Sequence, residues 1–163
     1  MDERDNEARR KVAGFLRDIE TQLNTSLALD EGGMCTMEFE QGLRVILAVP
    51  EGTKFFSLQA VLIEAPRDVS LPLMAEALRL NLRFSETRGG SIGWYDIEEV
   101  LVFRYWHPIE SCDGLLFGNI LANFILAAYQ LNNRLLQVAE TMLGTKAAFP
   151  FMEKHLQADD VRR

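Results

Sequence analysis

Apolar and polar positions along the chain change period several times, and each change predicts an element. Val12, Phe15, Leu16, Ile19 and Leu23 recur at helical spacing, with Arg9, Arg10, Arg17 and Asp18 on the opposite side. This predicts an amphipathic first helix from about Asp5 to Gln22 or Asn24. After the turn Asp30-Glu31-Gly32-Gly33 the period drops to two, with Cys35, Met37 and Phe39 alternating with Thr36, Glu38 and Glu40 as in a half-exposed strand. From Arg44 to Val49 a second strand points Val45, Leu47 and Val49 one way and Ile46 and Ala48 the other, so both faces of its sheet are partly apolar. Phe56, Leu58, Ala60 and Leu62 mark a third strand, and three strands on short connections imply an antiparallel meander.

A short helix follows, with Ser70 as its cap, Pro72 in its first turn and Asn81 at its end. Leu71, Met74, Ala75, Leu78 and Leu82 form the stripe expected to pack on the domain's own core. Leu73, Ala77 and Leu80 form a second apolar stripe, and only Glu76 and Arg79 carry charge between Leu71 and Leu82. A helix apolar nearly all round must be covered twice, so Leu73, Ala77 and Leu80 are expected to meet a second copy across a two-fold axis, with an ordinary buried helix as the rival reading. Gly89-Gly90 then leads to a hairpin of Ile92 to Tyr95 and Val100 to Trp106 around Asp96-Ile97-Glu98-Glu99. Asp113 caps a last long helix that Gly144 stops, with Phe117, Leu121, Phe124, Ala128, Leu131 and Leu135 on its core stripe. The sum is an α+β fold, an antiparallel five-stranded twisted sheet with three helices in the order α-βββ-α-ββ-α, expected as a homodimer. It makes one domain over residues 1–144, with a tail of unassigned structure over 145–163.

The 163 residues suffice for one core, and 48% apolar with 25% charged residues is an ordinary globular balance. A net charge of -7 without a basic cluster disfavours nucleic acid and anionic membranes as partners. The start MDERDNEARRKV lacks the apolar core of a secretory signal, which predicts a protein that stays where it is made. The apolar run Leu115 to Leu131 is broken by Asn119, Asn123 and Gln130 and reads as a core helix, not a membrane span.

Chemistry is sparse. His107, His155, Cys35 and Cys112 lack the short spacing of a metal site, so no metal and no cofactor are expected. His107 with Cys112 raises a Cys/His nucleophile, and Asp96, Glu98 and Glu99 a carboxylate cluster. A loop histidine, a pre-helix cysteine and turn acids explain them better. Gly144-Thr145-Lys146 lacks the glycine and hydroxyl that complete a phosphate loop. No catalytic residue is assigned.

The element order, together with Leu27 to Met37 as an apolar pair, acidic turn and strand entry, then Leu78-Arg79-Leu80-Asn81, Gly89-Gly90, Ile92 to Asp96 and Val100 to Phe103, resembles the class I type III secretion chaperones of the Tir chaperone family over about Val12 to Val138. The resemblance implies a homodimer in the bacterial cytoplasm that binds the N-terminal region of a secreted effector in extended form without ATP. It makes residues 1–144 a secretion-chaperone-like domain. The first helix and first two strands carry more apolar positions than one core needs, so Phe15, Leu16, Met37, Val45 and Leu47 are the expected client-binding residues. A regulatory or protein-binding module with the same fold and no secretion client is the alternative; an enzyme using Cys112 and His107 is a third reading.

Overall fold

The computed structural model describes residues 3–143 apart from 24 and 66. Expectations on Asn24, Gly144, the Gly144-Thr145-Lys146 stretch, His155 and the tail 145–163 lie outside the described residues. The elements are α1 (Glu3–Leu23), β1 (Met34–Glu38), β2 (Arg44–Ala48), β3 (Phe55–Glu64), α2 (Arg67–Asn81), the single-turn α3 (Phe84–Thr87), β4 (Ser91–Tyr95), β5 (Val100–Pro108) and α4 (Gly114–Leu143). All five strands form one antiparallel sheet in the order β1-β2-β3-β5-β4. The expected architecture holds, with α3 added as a fourth helix.

The register sorts side chains onto two faces. Cys35, Met37, Val45, Leu47, Phe56, Leu58, Ala60, Leu101 and Phe103 point inward and share one core with Val12, Leu16, Leu73, Leu80, Phe117 and Leu131 of the helices. Phe117 anchors that core, stacking on Phe15 and meeting Phe56 edge-on, each at 5.4 Å between ring centroids. On the outer face, register partners form a row across all five strands, Thr36, Ile46, Gln59, Arg104 and Ser91, with Met34, Ala48, Ser57 and Trp106 in the next row. The helices lie on the inner side, so this is a two-layer protein.

Two interruptions of regular structure are compensated locally. The β3 register shifts between Val61 and Ile63 opposite β5, and the buried Asn132 of α4 donates its side-chain N–H to the Leu62 carbonyl there. Gly33 (φ +79°) leads into β1, where a Cβ would stand 2.8 Å from the Val49 carbonyl oxygen and 2.9 Å from Arg9 Nε, so no other residue fits.

Three expectations are corrected. The two stripes of α2 are exchanged: Leu73, Ala77 and Leu80 are 0%, 4% and 2% exposed inside the core, while Leu71, Leu78 and Leu82 are 75%, 68% and 88% exposed. Both stripes are apolar, so periodicity finds them without ranking them; Leu73, Ala77 and Leu80 therefore belong to the core and not to an interface between copies. The helix also starts at Arg67, which puts Ser70 and Pro72 inside it. Finally, Phe15, Leu16, Met37, Val45 and Leu47 are no more than 6% exposed and all lie in the core. On β2 the inward set is Val45 and Leu47, and Ile46 and Ala48 take the outer face.

Candidate functional site

The two edges of the sheet differ. Val49 N–H donates to the Gly33 carbonyl and Phe39 N–H to the Leu43 carbonyl, so the odd-numbered positions of β1 face the β2 ladder. Hydrogen-bonded pairs alternate along an antiparallel ladder, which turns the N–H and C=O of Met34, Thr36 and Glu38 outward. Asp30 occupies Met34: its side-chain Oδ1 accepts the Met34 N–H at 2.9 Å, and its own N–H donates to the Met34 carbonyl at 2.7 Å. Thr36 and Glu38 remain, exposed and with no partner for these backbone groups among the described residues.

At the opposite edge, the Asn81 side chain acts as a one-residue strand. Its Nδ2 donates to the Ile92 carbonyl at 2.9 Å and its Oδ1 accepts the Ile92 N–H at 2.8 Å. Sequence reasoning placed Asn81 at the end of this helix; it is the last helical residue of α2, and its side chain reaches 11 positions forward to close β4. Only Trp94 is left outward-facing on β4 without such a bracket. The β1 edge thus offers two successive free positions, and the β4 edge one.

Two further surfaces are apolar and open. The outer stripe of α2, Leu71, Leu78 and Leu82, continues into the exposed Phe84 of α3. A groove of about 610 Å³ runs between α1 and the N-terminal half of α4. Gly114, Gly118 and Ala122 recur every fourth residue along its α4 wall, with Ile19 and Ile125 lining the gap and Asp18 and Asp113 at its polar end, where a Cβ at Gly114 would collide with the Asp18 carboxylate. Asp113 Oδ1 accepts the Leu116 N–H at 2.8 Å, as its position before the helix predicts.

Burial shifts the titration of the two thiols and of His107. Burial raises the pKa of the Cys112 thiol and Asp113 raises it further, against a smaller opposing effect of Lys11. Burial likewise raises that of Cys35. His107 Nδ1 lies 3.3 Å from the Tyr105 hydroxyl, burial lowers the ring's pKa, and no hydrogen bond joins it to Cys112. Asp96, Glu98 and Glu99 occupy the β4–β5 turn, where the Glu99 carbonyl accepts the Ala65 N–H at 2.7 Å. Among the described residues no three metal-ligating side chains cluster.

Glu76 is the charged residue that sequence reasoning passed over. Only 3% exposed, it accepts from Arg79 at 2.6 Å and from Arg134 of α4 at 2.9 Å. Burial pushes its carboxyl pKa up, but the hydrogen bonds and charges of Arg134 and Arg79 outweigh this and hold it below the usual carboxylate value. Its i, i+3 spacing to Arg79 was visible in the sequence; the partner 58 positions away was not.

The open β1 edge and the exposed apolar helix faces are surfaces suited to contact with another polypeptide. Residues 14–132 match the sequence profile of the Tir chaperone protein (CesT) family, so the chain belongs to that family. A search among individually characterised proteins gave no sequence match. Among solved structures, the fold is similar to that of the ExsC–ExsE complex (TM-score 0.68, 18% identity, covering 78% of this chain and 95% of that one). It is also similar to the ExoU–SpcU complex from the type III secretion system of Pseudomonas aeruginosa (0.56, 16%, 78% and 96%). A third likeness is to the Yersinia pestis type III secretion chaperone SycH in complex with a fragment of YscM2 (0.55, 16%, 73% and 98%).

Proposed function

We propose that this protein is a type III secretion chaperone of the bacterial cytoplasm that keeps the N-terminal segment of a secreted effector extended, soluble and competent for export. It acts by binding alone, with no ATP and no covalent step. The observation that carries the reading is the free pair Thr36 and Glu38 on β1 in a chain of the Tir chaperone family. An extended segment adds there as a sixth strand and satisfies four backbone groups, a mode of recognition that needs no energy source. The capped β4 edge favours β1 as the docking edge. A similar fold solved as a chaperone–effector complex, HopA1–SchA, supports the same class of partner.

A second copy of the chain covers the outer stripe of α2, Leu71, Leu78 and Leu82, together with Phe84. Large apolar side chains this exposed and this contiguous are unusual on a monomer, and an isologous contact buries the same stripe from both sides.

Affinity purification from the native bacterium with identification by mass spectrometry tests the function. The expected result is one or a few secreted proteins whose N-terminal segment is protected from protease. Thr36→Pro removes an outward N–H without touching the β2 ladder. It should weaken capture at least tenfold while the circular dichroism spectrum is unchanged. Undiminished capture by that variant overturns the edge; recovery of no secreted protein overturns the chaperone reading.

A further inference from the structure

Resting on the reading above, we propose that the outer face of the sheet carries a subsite for a carboxylate of the bound polypeptide, an Asp or Glu side chain flanked by apolar residues, with Arg104 as its receptor. The geometry is built in advance. Arg104 Nε donates to Gln59 Oε1 at 3.0 Å, and Nη2 donates to the same oxygen. Gln59 is 6% exposed, so the acceptor is itself held in place. The guanidinium carbon lies over the Trp106 ring, 5.8 Å from its centre, within reach of a cation–π contact. Gln59 uses the Nε–Nη2 side of the guanidinium, and the Nη1–Nη2 end keeps the two parallel donors that match a carboxylate.

What is missing is the counter-charge. Arg44, on the same face, pairs with Glu38 at 3.0 Å, and Arg79 and Arg134 share Glu76. Arg104 has no carboxylate among the described residues, although it is half-buried on the outer face between Val102 and Trp106 of its own strand. A desolvated cation without an anion is a standing cost that a partner's carboxylate relieves. In a chain of net charge -7 the partner is expected to be basic on the whole, so one acidic residue placed opposite Arg104 discriminates between clients where overall charge does not. The position is continuous with the proposed docking edge. Arg104 stands in the row Thr36, Ile46, Gln59, Arg104, three strand spacings or roughly 14 Å from the free backbone of Thr36. About four or five extended residues leaving the edge span that distance.

The probe is a random peptide library displayed on phage and selected on the full chain. Selected peptides should carry one Asp or Glu between apolar residues. Their affinity should fall about tenfold or more on R104Q, whose amide can still donate to Gln59, and by less on R104K, which keeps the charge without the fork. Thermal melts of both variants should match wild type. Peptides without an acidic preference, or acidic peptides that bind R104Q unchanged, overturn the subsite; if those same peptides are lost on Thr36→Pro, the chaperone reading stands. Failure to select any peptide overturns both. Tighter peptide binding after joint neutralisation of Glu153, Asp159 and Asp160 makes the chain's own C-terminal segment the occupant, and overturns the assignment to a partner.

Discussion

The inner and outer stripes of α2 are made of the same kind of residue and have opposite fates. Leu73, Ala77 and Leu80 close the domain's core, whereas Leu71, Leu78 and Leu82 stand in solvent on a single chain. Nothing in side-chain chemistry separates them. The separation comes from Asn81 and Glu76, whose polar tethers set the rotation of the helix. Asn81 ties its last turn to Ile92 of β4, and Glu76 joins it to Arg134 of α4. A helix anchored to a strand edge and to a neighbouring helix turns one stripe inward and leaves the other exposed.

Truncating the inner stripe should have the largest effect. Leu80→Ala should cost about 2–5 kcal/mol in urea unfolding, and Leu71→Ala at a concentration low enough to dissociate copies no more than about 0.5 kcal/mol. Equal costs at the two positions would mean that the helix is rotated from the orientation described.

The Glu76 tether comes next. Glu76→Gln loses charge-assisted hydrogen bonds to two arginines and should cost about 1–3 kcal/mol at neutral pH. The sign of its pH dependence follows from the lowered folded pKa. The carboxylate's contribution is fully present above the unfolded value of 4.5 and is lost as pH falls through the folded value. Wild type should therefore lose stability below pH 4.5 more steeply than the variant, as read from melting temperatures across an acid series. Parallel curves would remove Glu76 from the account.

Asn81→Ala should cost about 1–2 kcal/mol, because the Ile92 N–H and C=O lose their partners and exchange them for water. It also uncovers β4 next to the free Trp94 position, so self-association at high concentration should rise in light scattering. A variant that melts early without associating would keep the tether and dismiss the edge cap.

The smallest change in fold stability is expected where the change in assembly is greatest. Leu78→Glu with Leu82→Glu should convert a dimer into a folded monomer, with unfolding free energy at low concentration within about 0.5 kcal/mol per substitution. A double variant that remains a dimer in light scattering removes the outer stripe from the interface; one that fails to fold contradicts the exposure of these leucines.

Much of this molecule was legible before any coordinate. The period of two in Cys35 to Phe39 and Arg44 to Val49, the helical spacing of Val12 to Ile19, and the Asp113 cap gave elements that the structure reproduces, because burial of alternate or every third and fourth residue is a local demand on the chain. The order of those elements, together with segments such as Leu78-Arg79-Leu80-Asn81 and Gly89-Gly90, indicated the family. The functional surface was less legible. Phe15, Leu16, Met37, Val45 and Leu47 read as surplus apolar residues because periodicity does not say how much apolar surface each element covers; Phe117, Leu121 and Leu131 of α4 share one core with them.

The sequence by itself determined that each amphipathic element has a buried side, that the sheet is partly apolar on both faces, and that α2 is apolar on two sides. The tertiary structure decided which side that is, for α2 and for β2 alike, since two apolar stripes on one element are equivalent until something distant selects between them. The selecting contacts run from Asn81 to Ile92, from Glu76 to Arg134 and from Asn132 to Leu62, separated by 11, 58 and 70 positions. A periodic pattern records the local part of burial; these pairings exist only once the chain has closed on itself, and they leave no period to read.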